Sequence, residues 1–193
     1  MRTVPHEDCQ ALRLTPEQFA ALCAAKPSAV LELTAAGQLI ERTPPGGESG
    51  RRNNRLAFQL ERWARTAGDW CVFDSSTGFL LPDGSIQSPD ASAIRLDRWQ
   101  SLSPEQRQGF PPLYPDLVVE LASASDRLVD LERKMATYQA NGAQLGWLLL
   151  PASREVEIWR AQEAPVRLQG ITTLEGGPLL PELQLDLSEL WEI

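Results

Sequence analysis

The chain is short of the residue types on which many catalytic sites depend. Its 193 residues contain one histidine, His6, and three cysteines without a C-x-x-C pair. A zinc site of histidine and cysteine ligands is therefore not expected, and neither is a disulfide framework. A Ser-His-Asp or Cys-His mechanism would have to use His6, which lies in a segment (1–14) that we expect to be loose.

Long apolar runs and net positive charge are also lacking. No apolar run approaches the ~18 residues of a membrane span, and the N-terminus has no apolar signal region, so we expect a cytoplasmic protein without membrane contact. The formal net charge of −8 argues against a non-specific nucleic-acid coat protein, but not against a nuclease whose acidic site is bridged to phosphate by a metal. The length and the hydrophobic content of 42% predict one globular domain over 1–193.

The hydrophobic pattern predicts a mixed α/β chain. Helices are expected at 15–25, 51–65 and 126–141, with a helical turn at 103–108. Strands are expected at 29–42 (two strands about a turn), 70–74, 76–81, 86–94, 116–123, 145–151 and 155–160. The strand–helix–strand order over 116–151 indicates a parallel crossover within a mixed sheet. The alternating segment 155–160 is predicted to be a half-exposed edge strand.

Carboxylates inside apolar strands are the first candidates for chemistry. Glu120 lies in LVVELAS, and an unpaired buried carboxylate costs roughly several kcal/mol, so it needs a cation, a metal or a proton. A structural salt bridge to arginine is the alternative. Asp90, in SPDASAI, is unusual within a strand, although a turn at the strand end would also suit it. Asp116 would lie about 13 Å from Glu120 in an extended strand, too far to share a metal, and is expected to start the strand.

Lys134 is the third candidate, in the helix that follows Glu120. It falls on the border of the apolar stripe that is formed by Leu128, Leu131, Met135 and Tyr138, where a lysine often only extends to solvent. However, lysine supplies only two of the 18 basic residues, so a lysine here indicates a need for a compact ammonium. Two carboxylates that hold a hard divalent cation, with an ammonium beside them, are suited to phosphodiester hydrolysis.

These features resemble the PD-(D/E)xK nuclease superfamily and, more narrowly, the Uma-type restriction endonuclease family. The resemblance extends from about Thr15 to the C-terminus. It is carried by LELTAAGQLIE, TGFLLPDGSIQSPDASAI, YPDLVVELASASDR, KMATYQANGAQLGWLLLP and LEGGPLLPELQLDLSEL. It implies a restriction-endonuclease-like core, which is a mixed central sheet of four strands flanked by helices, here with an extra N-terminal helix and hairpin.

The resemblance also implies roles for individual residues. Asp90 and Glu120 would be the ligands of Mg²⁺ or Mn²⁺. The superfamily's lysine usually stands two residues after the strand glutamate, where this chain has Ala122, and in this branch it matches Lys134. Glu32 matches a recurrent glutamate of the first strand and is a further candidate for the acidic site, with a surface charge of the hairpin as the alternative.

The leading hypothesis is therefore a Mg²⁺-dependent DNA endonuclease. Arg51, Arg52 and Arg55, at the positive N-terminal end of their helix, would face phosphate, unless they form a solvated face. The alternative hypothesis is a non-catalytic nucleic-acid-binding or assembly module that retains the fold. Two departures from the family pattern bear on this choice: Ser49 stands where a histidine is frequent, and Gln38 where a glutamate is frequent.

Under either hypothesis we expect a homodimer or a higher homo-oligomer, because cleavage of two strands normally needs two sites. The predicted edge strand 155–160 is the candidate dimer edge. The sequence contains no recognition module that would indicate a target. It therefore predicts neither a preferred DNA sequence nor whether the substrate is DNA or RNA.

Overall fold

The computed structural model describes residues 13–42 and 46–192. Most of the segment that we expected to be loose (1–14), including His6, lies outside these residues. Leu14, at its end, is fixed, because its N–H donates to the carbonyl of Gly37 at 2.8 Å and its side chain packs in the cluster around Phe19. None of the helices in the described part of the chain is long and apolar enough to cross a membrane.

The described residues contain the four predicted helical segments, with different bounds, and two short helices, at 96–100 and 188–191, that the sequence did not predict. The helices are α1 (Pro16–Ala25), α2 (Gly47–Ala67), α3 (Leu96–Gln100), α4 (Pro104–Gln108), α5 (Leu128–Ala140) and α6 (Ser188–Trp191). Thr15 and Ser103 each close a capping box before a proline at the first helical position, which sets the start of α1 and α4. Gly68 ends α2 in the left-handed conformation, at φ 81°, which glycine adopts without steric cost.

The strands form three sheets. They are β1 (Val30–Leu33), β2 (Leu39–Arg42), β3 (Trp70–Asp74), β4 (Phe79–Leu80), β5 (Ile86–Gln87), β6 (Ala91–Arg95), β7 (Leu117–Leu121), β8 (Leu145–Leu150), β9 (Glu155–Arg160), β10 (Val166–Gln169), β11 (Thr173–Glu175) and β12 (Gln184–Asp186). The main sheet has the order β10-β9-β8-β7-β6-β3, a smaller one has the order β2-β1-β5-β4, and β11 pairs with β12.

The main sheet is mixed, as predicted. β7 and β8 are parallel and are joined through α5, whereas every other neighbouring pair in this sheet is antiparallel. Strands β3, β6, β7 and β8 supply the expected four-stranded core, and β9 and β10 extend it. The fold class predicted from the sequence, with its additional N-terminal helix and hairpin (α1, β1 and β2), is therefore confirmed.

The prediction that 155–160 is an edge strand is wrong. β10 pairs with β9 along four residues, from Val166↔Ile158 to Gln169↔Glu155, so β10 forms the edge. The charged residues that alternate with apolar ones in 155–160 do not mark an exposed face. Glu157 is buried and pairs with Arg167 of β10. The backbone of β9 is therefore not available as a dimer edge.

The alternation along β7 divides the core into two layers. Val119 and its neighbours on one face pack against Leu56, Leu60 and Trp63 of α2. Val118, on the other face, packs against Met135 of α5. Glu120 shares the face of Val118, so it points toward α5.

The predicted strand 86–94 is broken between the two larger sheets. β5 belongs to the small sheet and β6 to the main sheet, with 88–90 between them. Pro89 lies in this break and has no N–H to donate to a neighbouring strand. The break brings Ser88 and Asp90 to the place where the two sheets meet.

Candidate active site

Asp90 and Glu120 come together through strand register. β6 pairs antiparallel with β7, with Ala91 opposite Val119, and Asp90 and Glu120 are the residues next to this pair in the chain. Asp90 lies close enough to Glu120 for its charge to raise the pKa of Glu120. The carboxylate of Asp90 is fixed on both oxygens, because Oδ2 accepts from the N–H of Leu121 at 2.7 Å and Oδ1 accepts from Nδ2 of Asn53 at 3.2 Å.

Lys134 lies in the same cluster, with all three of its N–H donors engaged. Its Nζ is 2.8 Å from Oε1 of Glu120 and 2.8 Å from Oε1 of Glu32, and it donates to the carbonyl of Ser88 at 2.9 Å. The side chain is only 8% exposed. It is therefore a buried ammonium rather than a lysine that extends to solvent.

Glu32 is a member of the cluster and not a surface charge. Its side chain is 2% exposed. Oε2 accepts from Nε and Nη2 of Arg42 at 3.0 and 2.9 Å, and Oε1 accepts from the N–H of Ser88 at 3.1 Å in addition to Lys134. Arg42, on the neighbouring strand β2, is a site residue that sequence reasoning missed.

Tyr138 is a second residue that the sequence analysis did not assign to the site. Its hydroxyl donates to Oε1 of Glu120 at 3.1 Å, the same oxygen that Lys134 contacts. The signal was available, since Tyr138 follows Lys134 by four residues and the two therefore share one face of α5.

The electrostatics of the cluster separate the two glutamates. Burial raises the pKa of Glu120 to about 8, and the charges of Asp90 and Glu32 add to this effect against the opposing charge of Lys134. Burial also acts to raise the pKa of Glu32, but Lys134 and Arg42 outweigh it and hold that pKa below the ordinary value. Burial raises the pKa of Asp90 as well.

Lys134 remains a cation. Burial acts to lower its pKa, but the two glutamates outweigh burial and raise the pKa above the ordinary value for lysine. At neutral pH the cluster therefore contains an ionised Glu32 and an ammonium at Lys134, with Glu120 mostly protonated in the metal-free protein.

The donor chemistry fits a hard divalent cation with few protein ligands. In residues 13–42 and 46–192, no group of three or more histidine, cysteine, aspartate or glutamate side chains is placed to hold a metal. Glu32 is paired with two cations, Arg42 and Lys134. Among the described residues Glu120 is paired with Lys134 alone, and the donors to Asp90 given above are uncharged. Asp90 and Glu120 are therefore the candidate ligands. Mg²⁺ is commonly bound by one or two carboxylates together with water and phosphate oxygens, so this pair is sufficient.

A cavity of about 740 Å³ opens past the ends of β7 and β8, and the side chains of the cluster described above are not among its lining residues. Ala122, two residues after Glu120, is part of its wall. The remaining wall comes from the start of α2 and from the segments that follow β7 and β8, and it includes Ser49, Arg52, Ser123, Asp126 and Glu155. Ligands of sheets with parallel strands commonly bind at this end of the strands.

Comparison with known proteins identifies the family. The model of the Uma2 family, described as "Putative restriction endonuclease", matches residues 16–188. The chain belongs to the Uma2 family. This membership confirms the resemblance seen in the sequence and supports a nuclease function.

A solved structure shares the fold. A protein from Anabaena variabilis ATCC 29413, described as a "putative nuclease belonging to DUF820", superposes with a TM-score of 0.75 at 18% sequence identity. The match covers 92% of this chain and 97% of that protein. No curated protein sequence matches the chain.

The two departures from the Uma2 pattern lie in different places. Ser49 is in the first turn of α2 and lines the cavity. Gln38 is exposed in the turn between β1 and β2, where its N–H donates to the hydroxyl of Thr34. Neither residue is among the contacts of Asp90, Glu120 or Lys134 given above.

The arginines predicted to face phosphate differ in their surroundings. Arg51 is exposed, whereas Nε of Arg52 donates to the carbonyl of Leu190 at 2.8 Å. Arg55 donates to the carbonyls of Glu189 and Glu192. Two of the three guanidinium groups thus bind the C-terminal segment, and their contact with nucleic acid stays a prediction.

Asp116 has the structural role that was expected for it. It lies at the start of β7, where Oδ1 accepts from Arg98 at 2.6 Å and Oδ2 accepts from the N–H of Arg95 at 2.9 Å. It is therefore held at the opposite end of the strand from Glu120.

Proposed function

We propose that the chain is a divalent-metal-dependent endonuclease that hydrolyses phosphodiester bonds in DNA, with Mg²⁺ or Mn²⁺ as its cofactor. The observation that carries the proposal is the pairing of Ala91 with Val119, which brings the adjacent Asp90 and Glu120 to one place, with the ammonium of Lys134 2.8 Å from Glu120. Membership of the Uma2 family supports the same reaction class.

Asp90 and Glu120 would hold the cation. When bound, such a cation lowers the pKa of a water molecule and neutralises charge on the phosphate in the transition state. The chain's part is to fix the two carboxylates: Asn53 and the N–H of Leu121 orient Asp90, while Tyr138 and Lys134 orient Glu120. Glu120 must give up its proton before it can act as a ligand, so cation binding releases a proton below pH 8.

Lys134 would act as a fixed positive charge and not as a base. Its raised pKa keeps the ammonium protonated, and its three donors are already engaged. To reach a water molecule or a phosphate oxygen it must release one acceptor. The carbonyl of Ser88 is the uncharged acceptor of the three, so exchanging that contact loses the least Coulomb energy.

The cavity past the ends of β7 and β8, which Ala122 reaches two residues after Glu120, would receive the nucleic acid. Arg52 is on its wall, and exposed Arg51 is at the same end of α2. Because cleavage of both strands of a duplex needs two sites, we propose a homodimer or a higher homo-oligomer. The edge strands of the main sheet are β10 and β3, so on the side of 155–160 it is Val166–Gln169 that offers a strand edge for pairing.

Plasmid nicking in Mg²⁺ or Mn²⁺ tests the proposal. We expect the unsubstituted chain to nick DNA, and Asp90→Asn and Lys134→Ala to lose this activity. Arg133→Ala is the matched control, since Arg133 is the neighbouring residue on the exposed face of α5 and should nick like the parent. No nicking by the parent, or equal nicking by all four proteins, would exclude the nuclease and favour the non-catalytic nucleic-acid-binding or assembly module.

A further inference from the structure

Asn53 is the one side chain of α2 seen to bond to the acidic cluster within the described part of the chain. Its Nδ2 donates to Oδ1 of Asp90 at 3.2 Å. The other carboxylate oxygen of Asp90 accepts from the N–H of Leu121. One side-chain donor and one backbone donor therefore fix the orientation of the Asp90 carboxylate.

The carbonyl oxygen of Asn53 has no such partner. Within residues 13–42 and 46–192, Oδ1 of Asn53 and Oγ of Ser92 are the buried side-chain polar atoms that make no hydrogen bond. Asn53 is bonded to Asp90, and Ser92, on β6, follows Asp90 by two residues. Each of the two unpaired atoms therefore belongs to a residue that is bonded to the acidic cluster or close to it in the chain. A buried polar atom without a partner is unfavourable and calls for an explanation.

Two of the three buried amides in the described residues, Gln59 and Asn141, show what a purely structural amide looks like here. Gln59, on the same helix, accepts from the N–H of Asp186 and donates to its carbonyl and to Glu189. Asn141 accepts from the N–H of Asp83 and donates to its carboxylate and to Thr137. Both amides use the oxygen as well as the nitrogen, and Asn53 does not.

We infer that Asn53 is a positioning residue for the cation that Asp90 and Glu120 would hold. Its amide nitrogen sets the orientation of the Asp90 carboxylate, and its carbonyl oxygen accepts a hydrogen bond from the hydration shell of that cation. The inference rests on the proposed function. Groups that orient metal ligands in this way typically change metal affinity by about 10–100-fold when they are replaced.

Mn²⁺ binding, measured by isothermal titration calorimetry, tests this role without reference to DNA cleavage. Asn53→Leu removes both polar atoms at a similar side-chain volume. Asn53→Ala also removes both atoms, and because alanine has the highest helix propensity this second variant is expected to fold even if the leucine variant does not. We expect both variants to raise the dissociation constant for Mn²⁺ by about 10–100-fold. The Mn²⁺ dissociation constant is the deciding measurement, because the melting temperature in EDTA receives two opposite effects: the unpaired oxygen is removed, but so is the donor to Asp90.

Gln59→Ala is the matched control. It removes a buried amide from the same helix, and it should lower the melting temperature while leaving the Mn²⁺ dissociation constant unchanged. If Asn53→Ala instead behaves like Gln59→Ala, with a lower melting temperature and parental Mn²⁺ affinity, Asn53 is structural and the inference is wrong. If the parent itself binds no Mn²⁺, the proposed function fails, and this inference fails with it.

Discussion

Glu120→Gln is the substitution that most directly tests the electrostatics of the cluster. Burial raises the pKa of Glu120 from 4.5 to about 8, so the folded protein holds a proton that the unfolded chain has lost over about 3.5 pH units. Because the folded state binds more protons in that window, the free energy of unfolding falls as pH rises from 4.5 to 8 and levels off above 8. The loss is about 1.4 kcal/mol for each pH unit.

Glutamine resembles the protonated glutamate in size and charge. Its side-chain oxygen can still accept from Tyr138 and Lys134, so at pH 5 the variant and the parent should be almost equally stable. Between pH 5 and pH 8 the unfolded parent is ionised at this position while the folded parent keeps its proton, and the variant ionises in neither state, so the variant should gain about 3 kcal/mol relative to the parent. Urea unfolding in EDTA at pH 5, 6.5 and 8, followed by circular dichroism, measures this difference, and groups common to both proteins cancel.

Glu32→Gln is the control of opposite sign. The pKa of Glu32 is held below its ordinary value, so the ionised form stabilises the fold above pH 4.5 and that contribution is lost as pH falls. This variant should therefore be less stable than the parent at pH 8. The raised pKa of Glu120 would be refuted if the free energy of unfolding changed with pH in the same way for the parent and Glu120→Gln. It would also be refuted if Glu120→Gln were less stable than the parent at pH 8.

Three further predictions concern the same elements. The association constant for Mn²⁺, measured by calorimetry, should rise about tenfold per pH unit between pH 6 and 8, because Glu120 must lose its proton; a pH-independent constant would show that Glu120 is not a ligand. Lys134→Arg should nick plasmid at least about 100-fold more slowly than the parent, since a planar guanidinium does not fit three acceptors arranged around an ammonium, and parental rates would contradict this. Asp116→Asn should lower the melting temperature by a few °C through its lost pairing with Arg98 but leave the nicking rate unchanged; loss of nicking in the folded variant would place Asp116 in the site.

The elements around the parallel crossover could be predicted because their signals are local. β7 and β8 are short apolar runs, and α5 has an apolar stripe of helical spacing. A glutamate within such a run and a lysine on the following helix are visible in the sequence, and the crossover brings them together without further information. Leu128 is the exception in the stripe, at 37% exposed, because it is the first residue of the helix.

The partners of the cluster could not be predicted in the same way. Asn53 and Arg42 belong to other elements, and one of the three acceptors of Lys134 is a backbone carbonyl, that of Ser88. Such contacts depend on how the two sheets meet, and no local pattern contains that information. The wrong prediction of an edge strand at 155–160 has the same origin. The alternation of polar and apolar residues indicates which side chains are buried, but whether a strand has one or two neighbours depends on its pairing with segments distant in the chain.

The charge balance of the cluster predicts an order of binding. With Glu120 protonated, two carboxylates (Asp90 and Glu32) face two cations (Lys134 and Arg42), so the metal-free cluster has no net positive charge to attract a phosphate. A divalent cation would displace the proton of Glu120, and three carboxylates would then face four positive charges, which leaves a net charge of +1. We therefore expect tight binding of a labelled DNA duplex to require a divalent cation. Fluorescence anisotropy of the Lys134→Ala variant, which does not cleave in our scheme, should show weaker DNA binding in EDTA than in Mg²⁺, whereas equal affinity would mean that the DNA contacts lie away from this cluster.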